Sequence, residues 1–114
     1  MAPVTSMLDL MNDIQRLQTW YSSQCNGDWE HFYGIKLETL DNPGWHLSID
    51  LVGTDLENVT LETVYHNSGK QAIPGTNDWF TIFVKDGVWH GYGGPEKLSN
   101  LVDNFLNWSG LTSR

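Results

Sequence analysis

The chain has 114 residues, 14 Asp+Glu against 6 Lys+Arg, a formal net charge of -8, 39% hydrophobic and 18% charged residues. Folding at this length buries about two-thirds of the extended-chain surface, which supports one domain with a core (residues 1–114) and leaves no room for two. The hydrophobic fraction excludes disorder, no apolar run approaches the roughly 20 residues that span a bilayer, and residues 1–6 have neither the basic nor the apolar segment of a secretory leader. Cations spread from Arg16 to Arg114 form no patch, so direct nucleic-acid binding and a membrane role are not expected. An acidic chain suits a basic partner, whose approach it speeds. The single Cys25 allows no internal disulfide, which fits a reducing cytosol and rules out a multi-cysteine zinc site.

From Met7 to about Gln24, Leu10, Ile14, Leu17 and Tyr21 recur at helical spacing, widened by Met7, Met11 and Trp20. Ser6 reads as the N-cap, with Asp9 in the first turn and residues 1–6 as a flexible tail, and the helix stops near Cys25-Asn26-Gly27. The period then changes to two. Residues 32–39 read as a strand with Ile35 and Leu37 on one face, and Asn42-Pro43-Gly44 as a type II turn with Pro43 at i+1 and Gly44 at i+2, whose backbone Asp41 can bond. Trp45, Leu47, Ile49 and Leu51 mark the second strand, residues 53–58 a connection, and residues 59–66 a third strand. Residues 67–78, rich in Gly, Pro, Ser and Asn, read as a mobile loop. Residues 79–85 form a fourth strand, Asp86-Gly87 a type I′ hairpin turn, and residues 88–92 the returning strand. Gly93-Gly94-Pro95 ends the sheet, with Pro95 in the first turn of a helix whose stripe is Leu98, Leu101, Val102, Phe105 and Trp108 and which Gly110 stops. The expected fold class is α+β: a four- to five-stranded, mostly antiparallel sheet with an N-terminal and a C-terminal helix on one face.

The stretch from Trp20 to His31 holds a thiol, two carboxylates and an imidazole, the ingredients of a Cys25–His31 catalytic pair or a persulfide-carrying sulfurtransferase. Either chemistry needs a low thiol pKa from a cation or a helix N-terminus, whereas Cys25 falls at a helix C-terminus among acidic neighbours. A buried cysteine with a structural Trp29 is the simpler reading, and no catalytic residue is assigned. His31, His46, His66 and His90 are not paired at metal-binding spacing, so neither metal nor cofactor is expected. Gly91 to Pro95 lacks the Lys-Ser/Thr of a phosphate-binding loop. Of six tryptophans most belong to the core, yet Trp79, Phe83 and Trp89 stand apart from the main core face of their strands. They form either a recognition surface with neighbouring carboxylates or a second small core under the 67–78 loop.

Trp20-Tyr21, Gln24-Cys25, Gly27-Asp28-Trp29-Glu30-His31 and Tyr33-Gly34-Ile35, followed by Thr39-Leu40-Asp41-Asn42-Pro43-Gly44-Trp45, resemble the bacterial immunity protein 53 family. Gly53-Thr54, Leu56-Glu57, Asp78-Trp79 and Gly93-Gly94-Pro95 fit the same pattern, over residues 20–108. The resemblance implies a non-enzymatic cytoplasmic antidote that binds the toxin domain of a polymorphic toxin system, with Trp20, Cys25, Trp29, His31, Gly34, Asn42, Pro43, Gly44 and Trp45 as structural motif residues. A small acidic domain with spare aromatics suits the basic cleft of a nuclease toxin. Charge, turn position and the second sheet face select Asp28, Glu30, Asp41, Asp55, Glu57, Trp79 and Trp89 as contacts. The alternatives are the Cys25 enzyme and a scaffold or ligand-binding domain without a toxin partner; a monomer or a weak dimer is expected.

Overall fold

A computed structural model describes the backbone of residues 2–112 and the side chains of residues 13–110. The element order is α1 (Ala2–Gln24), α2 (Trp29–Phe32), β1 (Ile35–Leu40), β2 (Gly44–Asp50), β3 (Val64–His66), a 3-10 turn (Gly69–Gln71), β4 (Phe80–Lys85), β5 (Val88–Gly93) and α3 (Leu98–Thr112). The five strands form one antiparallel sheet in the order β1-β2-β5-β4-β3, as the α+β expectation requires.

Register assigns every strand residue to a face, because side chains alternate across a strand. Ile35 and Leu37, Trp45, Leu47 and Ile49, Trp89, Ile82 and Val84, and Val64 share the face beneath the helices. There Leu47, Ile49, Leu51, Leu56, Ile82 and Trp89 pack with Leu101, Val102, Phe105 and Leu106 of α3, and Leu17 and Trp20 of α1 close over them. Each such fully buried side chain contributes about 1.5–3 kcal/mol. Both helices therefore cover one face and leave the other open.

The differences from sequence expectation are local. Gly44 opens β2 opposite Leu40 without a positive φ, so residues 41–43 form the turn and the expected type II geometry is not adopted. Helix α1 begins ahead of Ser6, which is not its cap; expectations about the side chains of Met7, Asp9, Leu10 and Met11 lie outside the described residues. Residues 29–32 form a helical turn, not the start of a strand, because the Asn26 side chain accepts the backbone N–H groups of Asp28 and Trp29 and opens α2. Residues 59–63 stay off the ladder. Val59 and Leu61 turn into the core, and the Thr60 carbonyl accepts Trp108 Nε1–H at 3.2 Å instead of a strand partner. Pro95 precedes α3, whose first carbonyl is that of Lys97, and Gly110 keeps helical geometry within α3.

Candidate functional site

The open face collects the side chains of opposite parity: Lys36 and Glu38 on β1, His46, Ser48 and Asp50 on β2, His90 and Tyr92 on β5, Thr81, Phe83 and Lys85 on β4, and Tyr65 on β3. Cross-strand pairing sets His46 against Tyr92, with ring centroids 4.0 Å apart and planes 7° apart, and Phe83 against His90 at 5.1 Å and 23°. Diagonally, His46 and His90 stack at 5.3 Å with Nε2 and Nδ1 3.0 Å apart. Glu38 Oε1 lies 3.2 Å from His46 Nδ1. The four rings stand as a parallel stack across three strands, fed at one end by a carboxylate.

Glu38 fixes the tautomer. A carboxylate only accepts, so it takes Nδ1–H of His46, which leaves Nε2 of His46 to face Nδ1 of His90 at 3.0 Å. Burial pushes His90 below its ordinary value of 6.5, helped by nearby His46 and Lys85 and opposed by Asp50. The unfolded chain thus takes up this proton first, and the stability contributed by neutral His90 is present above pH 6.5 and lost as the pH falls through the folded value. Asp78 is held below the usual carboxylate range by hydrogen bonds from Lys97 and His66, and Glu30 by bonds from its own backbone N–H and those of Asn26 and Gly27. Their contributions disappear at lower pH, in the carboxylate range. Folding stability is therefore expected to decline over two pH ranges on acidification, and His90→Phe, which keeps a ring in the stack, is expected to remove the upper decline. Denaturant midpoints measured across the pH range check this; an unchanged upper decline in the variant refutes it.

The acidic residues proposed from sequence divide between the two ends of the sheet. Trp29 donates Nε1–H to the Val52 carbonyl at 2.9 Å and lays the Asn26–Glu30 turn against the loop that follows β2. Asp28, Glu30, Asp55 and Glu57 therefore share one end, beside the Asp86-Gly87 hairpin, whose Gly87 carbonyl accepts Leu51 N–H. Glu30 holds the N–H groups of Asn26 and Gly27, and Glu57 holds that of Gly53, so these two carboxylates shape their own loops. Asp28 and Asp55 are exposed. Asp41 lies at the opposite end in the β1–β2 turn, as does half-buried Trp79, whose carbonyl accepts Gly94 N–H. Asp78 there pairs with His66 and Lys97.

Trp89 is corrected: it is 0% exposed and belongs to the core, where no partner reaches it. The two-residue hairpin pairs Lys85 with Val88 and hence Val84 with Trp89, so Trp89 follows Val84 beneath the helices and Phe83 goes with His90 to the open face. Cys25 Sγ donates to the Tyr21 carbonyl at 3.3 Å, His31 is exposed on α2, and no hydrogen bond joins them among the described residues. Trp20 packs edge-on against Trp29 and Phe105. Trp45 Nε1–H bonds the Pro95 carbonyl, Gly34 N–H bonds Asp50 Oδ2, and a Cβ on Gly44 would run into the Gly93 carbonyl. Asn42 and Pro43 are exposed in the turn.

The model of the family described as immunity protein 53 matches residues 14–110. The chain belongs to the immunity protein 53 family. No curated protein and no solved structure matches it. For a member of this family the open face is the notable surface: a flat array of ring edges, carboxylates and lysines on a rigid sheet. Among the described residues no group of three or more His, Cys, Asp or Glu is arranged for a metal ion, and no helix is long and apolar enough to cross a membrane.

Proposed function

We propose that this chain is the antidote of a toxin–immunity pair, binding and blocking a cognate toxin domain in the cytoplasm of the cell that makes both. Membership of the immunity protein 53 family over residues 14–110 is the observation that carries this reading. The charge of -8 favours a basic toxin, and a nuclease is the natural class, because exposed carboxylates occupy a phosphate-binding cleft as the substrate does. The contact runs from Asp28 and Asp55 at the acidic end, past Asp50, onto the stacked rings of the open face. Carboxylates at the rim quicken encounter, while ring edges of Tyr92 and Phe83 desolvate and slow release.

The test uses the toxin domain encoded beside this chain's gene, mixed with the chain at equal concentration. Loss of toxin activity and a stable complex are expected; a fully active toxin refutes the reading. The double charge reversal Asp28→Lys with Asp55→Lys is expected to slow association by about tenfold at low ionic strength, with the difference shrinking in salt. Tyr92→Ala is expected to act on dissociation instead, by about tenfold. Stopped-flow association and dissociation rates separate the two.

A further inference from the structure

The two edges of the sheet differ. At one edge β3 is three residues long, whereas β1 at the other is six residues, Ile35–Leu40, with Lys36, Leu37, Glu38 and Thr39 all exposed. Asp50 N–H bonds the Gly34 carbonyl, while Gly34 N–H turns to the Asp50 carboxylate, so the backbone of Gly34 faces β2. By the alternation of an antiparallel ladder, residues 36, 38 and 40 then turn their backbone groups to β2, and Ile35, Leu37 and Thr39 turn theirs outward, with no strand partner among the described residues. Leu37 is 50% exposed, and beside it on the helix face Ile14 is 56% exposed; both line an apolar groove of about 470 Å³ between α1, β1 and α3. A long, open edge with an apolar residue at its centre is an unfilled pairing site.

We propose that this edge pairs with β1 of a second copy of the chain, joining two sheets into one of ten strands about a two-fold axis through Leu37. Charge selects both the occupant and the register. With the axis at Leu37, the outward groups of Ile35, Leu37 and Thr39 meet those of Thr39, Leu37 and Ile35 in the second copy. Lys36 then lies opposite Glu38 of the second copy, and Glu38 opposite its Lys36, at non-hydrogen-bonded positions where side chains approach most closely. Moving the axis one residue either way keeps the backbone bonds in phase but sets Lys36 against Lys36, or Glu38 against Glu38. Only the Leu37-centred register is attractive. It also buries the two Leu37 side chains against each other and brings the two Ile14-lined grooves together at the seam. The consequence is that two open faces, each with its ring stack, look out from the same side of one continuous sheet. This inference is independent of the toxin reading.

Sedimentation equilibrium of the full chain, from micromolar to submillimolar concentration, tests it. A monomer–dimer equilibrium is expected, with exchange of the Ile35, Leu37 and Thr39 amides slowing as concentration rises. Lys36→Glu and Glu38→Lys each convert both ion pairs to repulsions and are expected to raise the dissociation constant by about tenfold or more. An equimolar mixture of the two variants restores opposite charges at both positions, and is expected to associate as the wild type does. Neither misfolding nor a general change of charge produces that recovery. A chain monomeric throughout the range, a dimer indifferent to both variants, or a mixture that stays monomeric overturns the proposal. So does a chain monomeric by itself whose β1 amides become protected only when the toxin domain is added, which would give the edge to a toxin strand.

Discussion

Replacing Trp29 by alanine is expected to remove about 3–5 kcal/mol of folding stability. The indole is 4% exposed, packs edge-on against Trp20 at 6.1 Å and tilted against Tyr21 at 5.9 Å, and its Nε1–H fills the Val52 carbonyl. It is the joint between the end of α1 and the loop that leaves β2, and an added Cβ on Gly53 would already touch it at 3.2 Å. Trp29→Phe keeps most of the apolar contact but strips the Val52 carbonyl of its donor, so about 1–2 kcal/mol is expected. Urea unfolding of both variants separates ring from hydrogen bond. A loss below about 1 kcal/mol for the alanine variant contradicts the role given to this joint. Since whole domains hold only about 5–15 kcal/mol, the alanine variant is also expected to lose function through depletion of the folded form.

The second large effect is expected at Gly91. This residue lies on the helix-covered face between Leu47 and Ile82, and the Trp89 indole lies over it. An added Cβ would stand 2.8 Å and 3.0 Å from two Trp89 ring carbons and 3.1 Å from Leu101 Cδ2. Both neighbours are fully buried and have nowhere to retreat, so Gly91→Ala is expected to cost about 1–3 kcal/mol by overpacking. Trp89→Phe by itself leaves a cavity and also destabilises. Together the two are expected to cost less than their sum, because the smaller ring leaves space for the methyl group. A double-mutant cycle in denaturant measures the coupling; strict additivity means that the indole and Gly91 are not sharing one volume.

Much of this architecture is legible in the residues themselves. Ile35 and Leu37 alternating with charges, Asn42-Pro43-Gly44, Asp86-Gly87 and the Leu98–Trp108 stripe locate two hairpins and the closing helix because each depends on local period and turn chemistry. Those hairpins also dictate two contacts of the open face: the β1–β2 turn sets Glu38 opposite His46, and Asp86-Gly87 sets Phe83 opposite His90. Carried one step further, the same rule places Trp89 with Val84 in the core. What the residues do not encode locally is the pairing of β2 with β5, which stacks His46 on Tyr92 and brings the two histidines together. The same limit explains residues 59–63, where Val59 and Leu61 have the period of a strand but serve the core from a loop. Cys25 lies close in sequence to His31, yet proximity along the chain makes no pair of them: Cys25 bonds the Tyr21 carbonyl one helical turn back, and His31 is exposed on α2.

The placement of β5 beside β2 has a consequence for how the molecule is made. Trp45 meets Gly93 and Ile49 meets Trp89, so the first hairpin emerges from the ribosome well before the strand that completes its sheet. At about 5–20 residues per second, that hairpin waits on the order of seconds with one flank bare. The helix that seals the hydrophobic interior arrives later still. For the proposed antidote, protection can begin only once α3 has been made, so a producing cell would gain by starting it before its poison.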